Sequence, residues 1–445
     1  MKSLTEELLS IPKFGSGIGL HRMNMLCDEI LKGSWANQVD PINVVGSNGK
    51  GSTTRIIGNI LMELGLSTGQ YISPHLFEFS ERISINNEEI SEEDLSIFIQ
   101  QFFSKRDDLK TKLNEQIGAF EAFTFIAFAY FAEKQPDTIV LEAGIGGRYD
   151  STRILTGDFI AFTSLDLEHT QVLGDSEELI AYDKIDIARE GATVVVGDIH
   201  DDVLTRLIHY ASYKNVRVLP IRDHSEVKNV SFKKDKMLLD VVVEELEFTN
   251  LESNLVGYQQ VSNIVVSILL IKRWLAKNYP EIDNATFQQA VYKGLATLTW
   301  TGRLEKIHSD PSIIIDVGHT PKAIEALVTS FKDMKTLPCV LVTGVSYDKE
   351  VEDIVTQLTS VADAVVCTRA YHKGSKSSRI FDIANKVFPN KERIFQHERI
   401  EDAVDFSIQY AKENNMQILI AGGLFLSIEA YHYLKGNVPS ELTFF

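Results

Sequence analysis

The chain has 445 residues, 44% hydrophobic and 24% charged, the balance of a globular protein with room for two or three domains. Its formal charge of −18 argues against a nucleic-acid binder, which needs a basic stripe to neutralise phosphates. An anionic ligand would have to be met by a few local cations. Cys27, Cys339 and Cys367 lie far apart, without metal-type spacing, and read as reduced thiols. The best candidate membrane span, residues 264–275, is broken by Lys272 and Arg273 and falls short of the roughly 20 apolar residues required. Glu6 and Glu7 stand where a signal peptide would be apolar. The expectation is a cytoplasmic protein with neither a membrane nor a nucleic-acid partner.

Along the chain, short β-branched runs alternate with helical stretches, the pattern of a parallel α/β sheet. Residues 42–46 read as a strand ending in glycine, and 52–66 as the helix that follows. Strands are expected at 138–144, 160–165 and 193–197, with helical sequence between them. Residues 226–248 alternate without helix, which predicts a small antiparallel patch; helices over 258–278 and 284–296 follow. The alternation restarts with strands at 312–317, 339–344, 364–368 and 417–422, and helices after Pro321, Lys349, Arg379 and Glu401. The expected organisation is α/β throughout: a first domain over 1–296, a turn-like hinge over 297–303 and a smaller domain over 304–445.

Between the first strand and its helix stands Gly46-Ser47-Asn48-Gly49-Lys50-Gly51-Ser52. Glycines let backbone N–H groups close around phosphate oxygens, and a helix N-terminus favours negative charge. Lys50 would meet the terminal phosphates, and Ser52 would donate to phosphate or lie near a metal. The lysine comes too early for G-x-x-x-x-G-K-[ST]. A plain structural turn is the alternative reading of a glycine-rich loop. The lysine and serine between strand and helix favour phosphate.

This spelling resembles the loop of the Mur ligase superfamily, and of its folylpolyglutamate and dihydrofolate synthases in particular. Further motifs similar to that family follow in one order. They are residues 14–22 (FGSGIGLHR), Ser73-Pro74-His75-Leu76 with Glu81-Arg82-Ile83 and Asn86, Phe120-Glu121 with Thr124, and residues 141–150 (LEAGIGGRYD). Then come Glu168-His169-Thr170 with Leu173-Gly174, Asp183-Lys184, and Gly257, Gln260 and Asn263. The later part carries Trp300-Thr301-Gly302-Arg303, Asp316 with His319 and Pro321, Asp348-Lys349, and Gly423-Leu424 with Leu426.

The resemblance implies a P-loop-type parallel-sheet ATPase domain followed by a smaller Rossmann-like domain. It implies an ATP-dependent amide ligase that activates a carboxylate as acyl phosphate and joins it to L-glutamate, with a folate-type acid as acceptor. Lys50, Glu142, His169 and Lys184 would then be catalytic. Asn48, Gly49, Lys50, Gly51, Ser52, Asn263, Arg303, Asp316 and His319 would bind ATP. Ser73 and Glu142 would hold one Mg²⁺, and His169 and Lys184 a second, with Lys184 carrying CO₂ as a carbamate. An ordinary helix lysine in ion pairs is the other reading of Lys184, because Asp183 and Asp186 flank it. Arg82, Phe120, Asp150 and Arg153 would bind the acceptor. Family precedent implies a monomer.

Arg369, His372, Lys373, Lys376 and Arg379 form a basic cluster just after an expected strand. It reads either as a solvated loop or as the place where the carboxylates of glutamate are captured. Trp300 reads as hinge packing. Several positions depart from the family pattern: Gly118 replaces a threonine, Arg153 an asparagine, Gln259 a histidine, Glu168 an aspartate, and Thr320 is unusual after His319. Several fall on the acceptor side, so a paralogue using a non-folate acid stays open. A nucleotide-binding regulator without turnover is the reading from another class.

Overall fold

The computed structural model describes residues 4–233 and 235–442. An eight-stranded sheet organises the first part of the chain. Its strands are β1 (Ile42–Val45), β2 (Thr68–Tyr71), β3 (Ile83–Ile85), β4 (Glu88–Glu89), β5 (Thr138–Glu142), β6 (Phe159–Ser164), β7 (Thr193–Asp198) and β8 (Arg217–Pro220). They lie in the order β4-β3-β2-β5-β1-β6-β7-β8. From β2 to β8 every pair is parallel, and β3 and β4 add an antiparallel ribbon at one edge.

Central β1 is covered on both faces, so each of its positions is buried. Ile42 and Val44 join a cluster with Ile57 of the helix Lys50–Glu63 and Leu269 of the helix Tyr258–Asn278, while Val45 packs with Phe162 and Ile180 on the opposite face. Burial on two faces removes the period-two signal and leaves a continuous apolar run. The carboxyl ends of β5, β1 and β6 stand side by side, bringing the segments after Glu142, Val45 and Ser164 to one edge of the sheet. Open parallel sheets bind ligands at that edge.

A three-stranded antiparallel sheet follows, made of β9 (Ser225–Lys233), β10 (Lys236–Val243) and β11 (Leu246–Ser253). Met237, Leu239 and Val241 alternate inward onto the same core as the helix Tyr258–Asn278. The patch expected over 226–248 thus runs on to Ser253.

The last sheet contains β12 (Glu305–Ser309), β13 (Ser312–Ile315), β14 (Cys339–Thr343), β15 (Ala364–Cys367), β16 (Ile394–Gln396) and β17 (Gln417–Ala421), in the order β12-β13-β17-β14-β15-β16. All its pairs are parallel except β12 with β13. Among the described residues no helix is long and apolar enough to cross a membrane. The three cysteines are buried and unbridged.

The strands that the sequence left unmarked are short or polar. β2 reads Thr-Gly-Gln-Tyr, with no apolar alternation, yet is wholly buried. Its Gln70 faces Arg55 and Asn87 rather than apolar side chains. The helix expected from residue 52 begins at Lys50, because Gly49 at φ +86° turns the chain directly into it.

Candidate active site

The loop after β1 is held by its neighbour β6. Ser47 donates its N–H to the Ser164 carbonyl at 2.9 Å and Asn48 its N–H to Ser164 Oγ at 3.0 Å. The Thr163 and Ser164 hydroxyls donate back to the Asn48 carbonyl at 2.6 and 3.0 Å. Two glycines are demanded by what lies against them. A Cβ on Gly49 would sit 2.3 Å from Asn263 Oδ1, and one on Gly51 would sit 3.1 Å from the Trp300 ring and 3.4 Å from Glu142 Oε2. Asn263, Trp300 and Glu142 therefore line the loop closely. Lys50 folds back on it, donating to the carbonyls of Gly46 at 2.9 Å and Ser47 at 3.2 Å. Ser52 is buried at the helix start.

Glu142 ends β5 and is 3% exposed. Its Oε2 accepts the Ser73 N–H at 2.9 Å. No ion pair neutralises it among the described residues, and burial pushes its carboxyl up to about 7 against the pull of Lys50, Arg303 and Arg82. A buried carboxylate next to a phosphate-type loop, with no counter-ion of its own, fits a divalent cation. Among the described residues no group of three or more His, Cys, Asp or Glu side chains could hold a metal alone. Such an ion would complete its shell with phosphate and water oxygens, the habit of Mg²⁺.

Across the loop, Lys184 is 1% exposed and donates to Glu168 Oε1 at 2.7 Å and to the Gly46 carbonyl at 3.0 Å. Burial lowers it to about 8, Lys50 pushing the same way and Glu168 opposing. The flanking acids are bonded elsewhere. Asp183 accepts the Gly147 N–H at 3.0 Å, and Asp186 pairs with Arg148 at 2.7 Å and with Lys214. The partner of Lys184 is Glu168, for which the sequence reading found no role. His169, beside it, stands at φ +46°, and burial holds its imidazole below the usual range.

The expected acceptor residues are nearby. Asp150 is buried and fully engaged, accepting from Gly144 N at 2.8 Å, Ile145 N at 3.1 Å, Thr152 N at 3.0 Å and Thr152 Oγ1 at 2.7 Å. Phe120 lies against Gly144, where a Cβ would meet its ring at 2.7 Å. Arg153 donates to the Arg148 carbonyl at 2.7 Å, and Arg82 Nε donates to His75 Nδ1 at 2.8 Å. Gly118 has a steric reason: a Cβ there would lie 2.7 Å from Gly15 N, because the N-terminal segment crosses it.

The second sheet contributes from the far side. Asp316 follows β13, is buried, and accepts the N–H groups of Gly318 at 2.7 Å and Leu304 at 3.0 Å. The charges of Asp316 and Glu142 oppose the loss that the Arg303 guanidinium suffers on leaving water. The His319 imidazole is held low by burial, Lys349 and Arg303, with Glu168 opposing. Lys322 donates across to the Leu165 carbonyl at 2.9 Å. Trp300, read from sequence as hinge packing, also takes Arg55 over its ring at 5.0 Å, which ties it to the helix Lys50–Glu63.

The basic cluster divides. Lys373 accepts the Tyr347 N–H through its carbonyl at 2.9 Å, and His372 feels Asp348, so both adjoin the turn whose Lys349 faces His319. Arg369 instead pairs with Glu398 at 3.1 Å. Lys376 stands just before the helix Ser377–Val387 without a capping bond from its side chain, and Arg379 is exposed on that helix without an ion pair among the described residues.

Comparison with known proteins agrees with this geometry. Residues 44–271 match the Mur ligase middle domain and residues 302–424 the Mur ligase glutamate ligase domain. The dihydrofolate synthase/folylpolyglutamate synthase of Bacillus subtilis (strain 168) is 29% identical over 430 residues, covering 95% of this chain and 96% of that protein. The structure of Mycobacterium tuberculosis folylpolyglutamate synthase complexed with ADP and AMPPCP superposes with a TM-score of 0.86 at 25% identity, covering 98% of both chains. That of the Thermotoga maritima folylpolyglutamate synthase gives 0.81 at 28% identity, covering 98% of this chain and 97% of the other. A glycine loop lined by Asn263 and Glu142, on a chain matching these proteins from end to end, places it in the folylpolyglutamate/dihydrofolate synthase family of the Mur ligase superfamily, as an ATP-dependent ligase.

Proposed function

We propose that this ligase joins L-glutamate to the carboxylate of a folate-type acid, and that the residues brought together between the two larger sheets carry the reaction. The observation that carries this reading is the buried Glu142, without an ion pair among the described residues, beside the loop of Lys50 that Asn263 lines and within the field of Arg303. Two domains, 1–296 and 304–445, would meet over the hinge 297–303, with the nucleotide between them.

The loop 46–52 and the start of the helix Lys50–Glu63 hold the triphosphate, and Lys50 turns from its two carbonyl acceptors towards the terminal phosphates. Asn263 and Arg303 flank the nucleotide, Asp316 meets its ribose and His319 approaches the phosphates. Divalent metal supplies charge neutralisation on the phosphates when bound, with Ser73 and Glu142 as one set of protein ligands and His169 with the Lys184–Glu168 pair beside a second. The acid's carboxylate oxygen attacks the γ-phosphorus and ADP leaves. The amine of glutamate then attacks the acyl carbon, and phosphate departs with one former carboxylate oxygen. Closure of the second sheet, through contacts such as Lys322 with Leu165, keeps water from the acyl phosphate. His372 and Lys373, next to the turn that faces His319, receive glutamate's carboxylates, with Arg379 at the margin.

Lys184 is a candidate for carbamylation because its amine is lowered to about 8, whereas its bond to Glu168 favours the ammonium. Mass analysis after trapping with labelled bicarbonate distinguishes the two states. A non-folate acid is the second reading, supported by the internal engagement of Asp150 and by Arg153 at the acceptor side. ADP release with ATP, Mg²⁺ and glutamate, measured against dihydropteroate, tetrahydrofolate and a panel of aromatic acids, tests both. Stimulation by neither pteridine overturns the folate assignment.

A further inference from the structure

Glu429 stands on the helix Leu424–Leu434 and is wholly buried. One carboxylate oxygen accepts the N–H of Tyr371 at 2.7 Å and the other that of His372 at 3.0 Å. No ion pair accompanies it among the described residues, and the acid nearest in effect, Glu401, repels it. Stability alone does not favour a carboxylate so far from water and without an ion-pair partner among the described residues. What the arrangement secures is a particular backbone turn. Two successive N–H groups converge on the carboxylate, and Lys373 then adopts φ +53°, a left-handed conformation unfavourable for a side-chain-bearing residue. Gly374 follows where a Cβ would lie 2.2 Å from the Ala370 carbonyl oxygen.

The side chains of this turn pack on the same helix. The His372 ring lies 4.4 Å from that of Phe425, and the Lys373 ammonium lies 5.9 Å over the same ring. Phe425 is on the same helix as Glu429, so one element holds the turn from beneath and braces both of its side chains. The Lys373 carbonyl meanwhile anchors Tyr347, and with it the turn of Lys349 that bears on His319.

We infer that Glu429 is a positioning residue for the amino-acid co-substrate: its buried carboxylate fixes the backbone from Tyr371 to Lys373 so that His372 and Lys373 meet the substrate's carboxylates. This rests on the assignment of those two residues to amino-acid binding. Glu429→Gln keeps shape but offers one oxygen, and its amide N–H₂ confronts the second backbone N–H. Losing one charge-assisted bond and creating that clash predicts a rise in glutamate KM of about tenfold or more. The KM values for ATP and acceptor, and kcat, should stay within about twofold. Glu429→Asp, one methylene shorter, should shift glutamate KM in the same direction, and serves if the glutamine variant does not fold.

Lys373→Ala is measured in parallel. If it raises glutamate KM while both Glu429 variants leave it unchanged, the inference fails and the site assignment stands. If Lys373→Ala itself has no effect on glutamate KM, the assignment falls and takes the inference with it. A uniform loss of kcat and of all three affinities in the Glu429 variants, tracking a lowered Tm, overturns the positioning role in favour of a purely structural one.

Discussion

Replacing Glu142 with Gln should stabilise the enzyme free of metal and nucleotide while abolishing ligation. Glu142 is 3% exposed, and burial raises its carboxyl from the ordinary 4.5 to about 7. Below pH 4.5 the group is protonated in both the folded and the unfolded chain, and no pH-dependent term arises. Between pH 4.5 and 7 the unfolded chain releases the proton and the folded chain keeps it. Wild-type stability therefore falls as pH rises through that window, then levels off. At about 1.4 kcal/mol per pH unit the full loss is about 3 kcal/mol. Glutamine has no such term and still offers an oxygen to the Ser73 N–H. With about 2.1 cal/mol/K of unfolding entropy per residue, 445 residues give about 0.9 kcal/mol/K, so the variant should gain about 3 °C over wild type between pH 5 and 8. Calorimetry in EDTA at several pH values measures it. Adding Mg²⁺ with nucleotide should raise the wild-type Tm and leave that of the variant nearly unmoved. Parallel Tm curves for the two proteins in EDTA would refute the picture of a carboxylate waiting for a cation.

Three further substitutions probe the same site. Gly49→Ala must hold φ near +86° at a cost of about 1–2 kcal/mol and push Asn263 aside, so nucleotide Kd should rise at least about tenfold in a fluorescence titration. Unchanged affinity would sink the close-approach argument. Glu168→Ala strands the buried Lys184, and chemical unfolding should register a loss of about 3 kcal/mol, the low end for breaking a buried pair because Glu168 keeps some exposure. A loss below about 1 kcal/mol contradicts the pairing. Phe77 stacks on Tyr431 of the second half at 4.7 Å and meets His432 edge-on at 4.9 Å. Phe77→Ala removes about 1 kcal/mol of ring contact, so kcat/KM for ATP should drop about fivefold, while wild-type kinetics would deny the contact a part in closure.

The parallel strands were legible because burial on both faces makes them apolar runs, as in β1, β5 and β14, each buried at every position. The phosphate loop was legible for a different reason: its glycines, Lys50 and Ser52 stand within seven residues, between a strand and a helix. What stayed hidden depends on contacts between distant segments. β2 has no hydrophobic period, since Gln70 faces polar partners supplied by other elements. Lys184 seemed hemmed in by its sequence neighbours Asp183 and Asp186, yet helix geometry sends these towards Gly147 and Arg148 and leaves Glu168, sixteen residues away, as the partner. In the sequence Glu168 reads only as a longer acid in an aspartate position. Glu429 gave no signal at all, because its partners are backbone N–H groups, which carry no side-chain identity.

The measurement closest to the central claim follows an oxygen atom. With the acceptor acid labelled with ¹⁸O in its carboxylate, activation as an acyl phosphate delivers one label from that carboxylate to the inorganic phosphate released in each turnover with ATP, Mg²⁺ and glutamate. The account predicts labelled phosphate in step with amide formation, and no labelled phosphate when glutamate condensation fails. Amide formed alongside wholly unlabelled phosphate would contradict it.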